Sequence, residues 1–288
     1  MPRRRPLFRR PWLRRLRLGV PTLLGLGKLG WFIPYRYAAA VRPPPRYAAL
    51  EPLFEAQRPD FERWLATLER YAEPFAAITA GGGRPGAPRW NQAWFPRLDA
   101  ASAYAMVRER HPAQVVEVGS GHSTRFLWQA IQDGGLPTRL VAIDPEPRAE
   151  LGALPVALIR KTVQEAGLAP FAALEPGDLL LIDSSHVLMP GSDVDLILGE
   201  VLPRLPAGVI VQFHDVFLPE AYPADWEWRA YNEQQGLVGW LACGRLRPLF
   251  SSHLAARRLA GRIAAGPLGR LPLVAGARES ALWVEVMG

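Results

Sequence analysis

The clearest fold signal in this sequence is the stretch Val115-Val116-Glu117-Val118-Gly119-Ser120-Gly121-His122-Ser123-Thr124. An apolar run with one acid breaks at two glycines and continues into residues 124–131, which have helical spacing. This pattern predicts a strand, a tight turn and a helix. Because glycine has no Cβ, the N–H groups of such a turn can approach a ligand, and a helix N-terminus favours polar or anionic groups. The turn therefore predicts a nucleotide-like cofactor site, unless it serves only as a tight connection.

A second apolar run, residues 139–143, ends in a carboxylate. This residue, Asp144, lies 25 positions after Gly119. In dinucleotide-binding folds an acid about 20 residues after the glycines binds the ribose. An ionised carboxylate is an acceptor only, so it can receive both hydroxyl protons of a ribose diol. Asp144 is therefore predicted to bind ribose; the alternative is that Asp144-Pro145 only begins a turn.

Apolar runs and helical segments alternate from residue 112 onward, which is typical of an α/β fold. We predict a Rossmann-like, doubly wound, mostly parallel seven-stranded sheet with helices on both faces, formed by residues 112–288. Residues 46–111 are predicted to be a helical extension that packs on this core, and residues 1–45 a basic and apolar arm ending in a Pro-rich linker. The strands are expected near 115–118, 140–143, 156–160, 179–182, 208–213, 246–250 and 281–286. The helices are expected near 60–80, 99–111, 124–133, 146–152, 193–204 and 227–242.

The positive charge of the chain is concentrated at its start. The net charge is +7, and the first 17 residues hold eight arginines and no acid, so the rest is close to neutral. A nucleic-acid-binding face on the folded body is therefore not predicted. The arm could instead contact anionic lipid, RNA or an acidic partner.

Residues 19–33 are apolar but contain Lys28 and are shorter than the ~20 residues that a spanning helix needs. Residues 31–35 are predicted either to anchor the arm at a membrane surface or to pack on the main domain. The single cysteine, Cys243, excludes an intramolecular disulfide and indicates a reducing compartment. We predict a cytoplasmic protein that the arm could hold at the inner face of the membrane.

Polar residues follow two later apolar runs. Asp183 and His186 come after residues 179–182, and His214-Asp215 ends the run 208–213. In a doubly wound sheet the fourth and fifth strands lie on one side of the first strand, and ligands bind beyond the carboxyl ends. These four side chains are therefore predicted to converge beside the glycine turn. A purely structural role for each of them, above all for His186, stays open.

The chain from about residue 115 to 232 resembles the type 24 family of class I S-adenosylmethionine-dependent methyltransferases. The resemblance is carried by Ile182-Asp183-Ser184-Ser185-His186, Leu205-Pro206-Ala207-Gly208 and His214-Asp215, and by similar residues at 219–226 and 231–233. The family also has an acid two positions before its first glycine, as Glu117 is here. Gln212 departs from the related subgroup, where a histidine is expected, and Ser123 stands where the family often has a third glycine. The nicotinamide fingerprint fits less well, because its third small position falls on Thr124.

The resemblance implies S-adenosylmethionine as cofactor and a small or medium-sized acceptor, methylated at oxygen rather than at nitrogen or carbon. His214 or His186 would be the base, because histidine titrates near operating pH, with Asp215 orienting or charging the site. Asp183 and Asp215 could also hold a divalent cation such as Mg²⁺. An aromatic segment, residues 219–231, is predicted either to cover the site or to belong to the core. Two other functions stay open: a nicotinamide-dependent oxidoreductase, and a non-catalytic, membrane-tethered binding protein. The expected cofactor-binding residues are Glu117, Gly119, Ser120, Gly121, His122, Ser123, Asp144 and Asp183.

Overall fold

The computed structural model describes residues 11–27, 29–30, 35–81, 83–147, 151 and 154–288. The chain forms two compact units, one of residues 1–45 and 223–230 and the other of residues 46–222 and 231–288. The predicted extension and the predicted core therefore lie in the same unit. The basic residues 3–5, 9 and 10, Lys28 and residues 31–34 of the predicted anchor segment lie outside the described residues, and so does most of the predicted helix 146–152.

A seven-stranded sheet organises the larger unit, and its strands lie in the order β3-β2-β1-β4-β5-β7-β6. Strands β1 to β5 are parallel, and β7 is antiparallel to both of its neighbours. This arrangement confirms the predicted Rossmann-like, mostly parallel sheet. The strands are β1 (Gln114–Val118), β2 (Arg139–Ile143), β3 (Ala157–Ile159), β4 (Leu179–Ile182), β5 (Ile210–Phe213), β6 (Leu246–Ser251) and β7 (Leu282–Val286).

Helices connect and cover the strands. The described α-helices are α1 (Pro11–Leu23), α2 (Glu51–Ala56), α3 (Arg58–Glu69), α4 (Ala72–Ala77), α5 (Arg97–Arg110), α6 (His122–Gly134), α7 (Val163–Ala166), α8 (Ala169–Ala172), α9 (Asp193–Leu196), α10 (Glu233–Ala242), α11 (Ser252–Arg258) and α12 (Ala260–Ala265). None of the helices in the described part of the chain is long and apolar enough to cross a bilayer.

Three predicted helices differ from the structure. The helix expected at 60–80 is two helices, α3 and α4, separated at residues 70–71. The helix expected at 193–204 continues from α9 as a π turn and then a 3₁₀ turn. The helix expected at 227–242 is a 3₁₀ helix, Ala224–Arg229, followed by α10. Ala230 separates the last two because its left-handed conformation, with φ +54°, cannot continue a right-handed helix.

The core is one buried cluster that joins the strands to side chains of α3, α5 and α6 and, later in the chain, of residues 194–205 and α10. All residues of β4 and β5 are buried, as expected for parallel strands covered on both faces. Helix α5 is buried from Leu98 to Val107 and packs on α6. The helical extension joins this core directly, since the ring of Phe61 in α3 packs edge-on against Phe250 of β6, with centroids 5.9 Å apart. This packing fixes the positions of the strand ends and of the first turns of α5, α6 and α10.

Candidate functional site

The carboxyl ends of four neighbouring strands form the floor of the site. Strand order reverses between β1 and β4, which is where ligands bind in open sheets of this type. Three residues just beyond a strand continue the hydrogen-bond ladder across this edge at 2.9 Å. Gly119 donates to Ile143, Asp183 to Val118 and His214 to Ile182. The ends of β2, β1, β4 and β5 therefore lie side by side, as the sequence predicted.

The glycine turn passes very close to the end of β4. Gly119 has φ +84°, a conformation that a residue with a Cβ rarely adopts. A Cβ at this position would also lie 2.3 Å from the carbonyl oxygen of Asp183. The sequence explained this glycine by the approach of a ligand. The structure gives a second reason, because the turn itself packs against the backbone beyond β4.

Glu117 ties the start of α6 to β1. The hydroxyl of Ser123 donates to one of its carboxyl oxygens and the hydroxyl of Thr124 to the other, the latter at 2.6 Å. Burial raises the pKa of Glu117 to about 8, against the opposing effect of these two hydrogen bonds. Both oxygens are thus engaged inside the turn. Glu117 and Ser123 hold its shape, and direct contact of either side chain with a cofactor stays a prediction.

Asp144 lies beyond the end of β2, next to the glycine turn. One of its oxygens accepts the hydroxyl of Ser120 at 2.7 Å and the other accepts the N–H of Glu146 at 2.8 Å. A carboxylate has about four acceptor positions, so two remain for donors from a ligand. The side chain therefore fits the predicted ribose contact while it also fixes the adjoining loop.

His122, the first residue of α6, is buried beside an exposed tryptophan. Its ring stacks on Trp94, with centroids 5.8 Å apart and planes 20° from parallel. Burial and the charges of Arg125 and Arg89 lower the pKa of His122 to about 4, so the ring is neutral at pH 7. Within the described residues its Nδ1 has no hydrogen-bond partner. No feature of the sequence had indicated that Trp94 would lie beside His122.

The four polar residues that follow β4 and β5 come together. His186 Nε2 lies 3.2 Å from Asp183 Oδ1 and 3.6 Å from Asp215 Oδ2. His214 Nδ1 lies 3.5 Å from Oδ1 of each of the two aspartates. Asp183 is the most accessible member of this charged cluster, with 43% of its side chain exposed. His186 and Asp215 have φ values of +60° and +55°, so their backbones are strained, as is common in functional sites.

Two further acids hold the histidines from behind, and sequence reasoning missed both. His186 Nδ1 lies 2.8 Å from Oε2 of Glu233, at the start of α10, and His214 Nε2 lies 3.2 Å from Oδ2 of Asp99, in the first turn of α5. Both acids are fully buried. For Asp99 the available signal was an acid directly before the Ala-rich run 100–105, since a buried acid needs a partner. We include Asp99 and Glu233 in the charged cluster from here on.

Paired charges shift the titration of the cluster. Burial alone would lower the pKa of both histidines, but the hydrogen bonds of His186 with Asp183 and Glu233 raise its pKa well above 6.5. The pKa of His214 is also raised well above 6.5, by the charges of Asp215 and Asp183 and by the contact with Asp99. The two histidines in turn hold the pKa of Asp183 well below its usual range, against the effect of burial. Both imidazoles are therefore cationic at neutral pH.

Asp183 and Asp215 were also predicted to hold a divalent cation. Within the described residues, no group of three or more His, Cys, Asp or Glu side chains is arranged to hold a metal ion. Asp183 and Asp215 lie within 3.6 Å of ring nitrogens of His186 and His214. Their metal role stays a prediction, and no chemical step is assigned to a metal.

The aromatic segment 219–231 divides between the two compact units. In the larger unit the ring of Tyr231 lies 4.5 Å from that of His186, and the hydroxyl of Tyr222 accepts the N–H of Gln234. In the smaller unit the Arg229 guanidinium lies 4.0 Å from the ring centroid of Trp226. A covering role for the whole segment stays a prediction. Gln212 is buried in β5, and nothing in the structure assigns it a role in the site.

Comparison with known proteins bears on the central part of the chain. Residues 116–216 match the type 24 model of a family described as a methyltransferase domain. This match confirms the predicted resemblance over the segment from β1 to the residue after His214-Asp215. A search of curated proteins gives no match.

Solved structures with a similar chain course include several methyltransferases. A methyltransferase of Podospora anserina bound to S-adenosylhomocysteine is 14% identical, with 90% of this chain and 100% of that chain covered and a TM-score of 0.41. A putative O-methyltransferase of Klebsiella pneumoniae is 14% identical, with 84% and 98% covered and a TM-score of 0.41. An O-methyltransferase of Bacillus cereus with S-adenosylhomocysteine is 15% identical, with 77% and 91% covered and a TM-score of 0.39.

Proposed function

Since residues 116–216 match the model of a methyltransferase domain, we propose that this protein transfers the methyl group of S-adenosylmethionine to an oxygen of a small or medium-sized acceptor. The observation that carries the proposal is the arrangement along one sheet edge. Asp144 and the glycine turn lie on one side of the β1–β4 boundary, and the charged cluster follows β4 and β5 on the other. A nucleoside site and a proton-transfer site therefore adjoin.

The cofactor would be bound by groups that β1, β2 and β4 present. Asp144 has free acceptor positions for a ribose diol. The turn at Gly119–Gly121 and the N-terminus of α6 offer N–H groups and a favourable dipole to a carboxylate. Asp183 is ionised and partly exposed, which suits a neighbouring positive charge. When bound, the cofactor supplies an activated methyl group, so the protein has to bind, align and handle a proton.

The acceptor hydroxyl must lose a proton, and we assign this role to His214. Both nitrogens of His186 are engaged, with Glu233 and Asp183. His214 is held through Nε2 by Asp99, whereas its Nδ1 makes no hydrogen bond within the described residues. Nδ1 is therefore the nitrogen that can exchange a proton with an acceptor. Asp215 lies beside it and stabilises the protonated ring, and His186 neutralises Asp183.

Binding of S-adenosylmethionine by the full chain, measured by calorimetry, is the first test. Replacing Asp144 by Ala should weaken binding by about 10- to 100-fold, because hydrogen bonds to a charged group contribute about 1.5–3 kcal/mol. Asp144→Asn keeps an acceptor for Ser120 and should lie between the two. Glu146→Gln removes the same charge from the same loop and should leave affinity unchanged, since this side chain is exposed.

Two results of this experiment contradict the proposal. A folded wild-type chain that does not bind S-adenosylmethionine would exclude the assigned cofactor. A tenfold preference for a nicotinamide dinucleotide would favour the oxidoreductase alternative instead. Equal affinity of the wild type and Asp144→Ala would remove only the ribose role of Asp144.

The rate of methyl transfer should rise with pH above neutrality. His214 can accept a proton only in its neutral form, and its raised pKa delays that form to higher pH. Replacing His214 by Ala should lower turnover by about 10²- to 10⁴-fold and spare cofactor affinity, as expected for a lost general base. The readout is S-adenosylhomocysteine release as a function of pH, with an acceptor identified by screening for the same product.

The matched control for this variant is His111→Asn. His111 is exposed at the end of α5 and has φ +48°, a conformation that asparagine tolerates. The variant His111→Asn should therefore keep both the wild-type rate and the wild-type pH profile. If His214→Ala also kept them, His214 would not be the base.

A further inference from the structure

The first 45 residues differ in charge from the rest of the chain. They contain ten arginines, one lysine and no acid, and the first acidic residue of the sequence is Glu51. This segment therefore carries +11, and the remaining residues together carry −4, which gives the net charge of +7. Such a polarised distribution directs the segment toward a negatively charged surface.

The same segment carries most of the exposed large hydrophobic side chains among the described residues. Of the twelve large hydrophobic side chains that are exposed among the described residues, ten lie between residues 12 and 41. The other two of these twelve side chains, Trp94 and Leu273, lie in the larger unit. Monomeric soluble proteins rarely expose so many large apolar side chains together, and such clusters mark contact sites for membranes or other proteins.

Helix α1 arranges its part of this surface on one face. Trp12, Leu16, Val20 and Leu23 are between 41% and 57% exposed and follow each other at intervals of four, four and three residues. These intervals place all four side chains on the same side of an α-helix. Leu24, Leu26 and Leu29, which follow the helix, are more than half exposed as well. Arg15 and Arg17 are exposed on other sides of the helix.

We propose that α1 lies in the headgroup region of an anionic bilayer, with the face of Trp12, Leu16, Val20 and Leu23 inserted and the arginines beside lipid phosphates. A basic helix with an exposed apolar face has the composition of interfacial helices. Its 13 residues are too few to cross the hydrocarbon layer, which needs ~20. Tryptophan is suited to this depth, because its ring is apolar and its N–H is a donor.

The apolar face favours lipid over the other two candidate partners. RNA would engage the arginines and could stack on Trp12, but leucine and valine offer neither charge nor a stacking plane to a nucleic acid. An acidic protein would leave the apolar face in water unless it also had a matching groove. An anionic bilayer accommodates both surfaces of the helix at once. This inference is independent of the proposed methyl transfer.

Vesicle flotation with the full chain tests the proposal. The protein should float with vesicles rich in phosphatidylglycerol and stay in solution with pure phosphatidylcholine. Leu16→Glu places a charge in the inserted face and should reduce bound protein about tenfold. A double replacement of Arg15 and Arg17 by Glu should also reduce it, and added salt should weaken wild-type binding. The matched control, Leu273→Glu, changes an exposed leucine of the larger unit and should bind like the wild type.

Calorimetry with S-adenosylmethionine separates this proposal from the proposed function, since Leu16→Glu should keep wild-type cofactor affinity. The proposal is overturned if Leu16→Glu floats as the wild type does. It is also overturned if the wild type ignores anionic vesicles yet binds single-stranded RNA at the same salt concentration, because the arm would then be an RNA contact.

Discussion

Replacing Gly119 by Ala is expected to destabilise the folded protein by about 2–5 kcal/mol and to abolish cofactor binding. The left-handed backbone of this residue costs a side chain about 1–2 kcal/mol. The added Cβ would also overlap the carbonyl oxygen of Asp183, and overpacking of this kind costs about 1–3 kcal/mol. The turn would have to move away from β4, and the N–H groups at the start of α6 would move with it. Urea unfolding and calorimetry measure the two effects.

Gly135→Ala is the matched control for this variant. Gly135 ends α6 with φ +57°, and nothing lies within 4 Å of an added Cβ. It therefore carries the backbone cost alone, about 1–2 kcal/mol, and should leave cofactor affinity unchanged. If Gly119→Ala were at least as stable as Gly135→Ala, the turn would not pack against the end of β4 as closely as described.

Replacing Asp99 by Ala is expected to cost about 3–5 kcal/mol, the effect of removing one partner from a buried charge pair. Asp99 is fully buried and accepts hydrogen bonds from the backbone N–H groups of Ser280 and Ala281, the hydroxyl of Ser252 and the ring of His214. Its loss leaves these donors and the imidazolium of His214 without their acceptor. Since domains are stable by about 5–15 kcal/mol, thermal unfolding should detect the change clearly.

A second variant keeps this test informative if Asp99→Ala does not fold. Asp99→Asn preserves the shape and removes the charge, so the pKa of His214 should fall and the pH–rate profile should shift to lower pH. A purely structural Asp99 would leave the profile in place. Glu200→Ala removes an exposed carboxylate paired with Arg204 and should cost less than about 1 kcal/mol.

Raising the pH above neutrality should lower the free energy of unfolding, because His186 and His214 then lose their charge. The pKa values of His186 and His214 are raised on folding, so their contribution is complete below about 6.5 and is lost as pH rises through the folded values. The pKa of Glu117 rises from 4.5 to about 8 on folding, so this residue also makes the folded state less stable as the pH rises between these two values. The pKa of Asp183 is lowered on folding, so its carboxylate stabilises the folded state above the ordinary pKa of an aspartate. This contribution is lost only in acid, as the pH falls through the folded pKa.

Much of the fold could be predicted because its signals are local. Each of the seven predicted strands is a short apolar run, and all seven occur within two residues of the expected bounds. The convergence of Asp183, His186, His214 and Asp215 followed from one rule about where parallel strands end. The helix expected at 227–242 was wrong because nothing local marks Ala230 as left-handed, a conformation set by its surroundings.

The supporting part of the site could not be predicted because its contacts are distant in sequence. Asp99 and His214 are 115 positions apart, and Glu233 and His186 are 47 apart. The histidines were expected to titrate near operating pH, whereas the structure surrounds each ring with carboxylates that raise its pKa. Gly119 was singled out for the approach of a ligand, which stays a prediction; the constraint that the sequence could not show is a backbone carbonyl beyond β4.

The order of the sheet has a consequence for biosynthesis. The last strand, β7, inserts between β5 and β6, and the residues just before it supply N–H groups to the carboxylate of Asp99. A growing polypeptide therefore cannot complete the charged cluster until residues 280–286 have left the ribosome. Removal of residues 279–288 would leave the carboxylate of Asp99, which holds the ring of His214, without these N–H groups, even if the proposed nucleoside half had already formed.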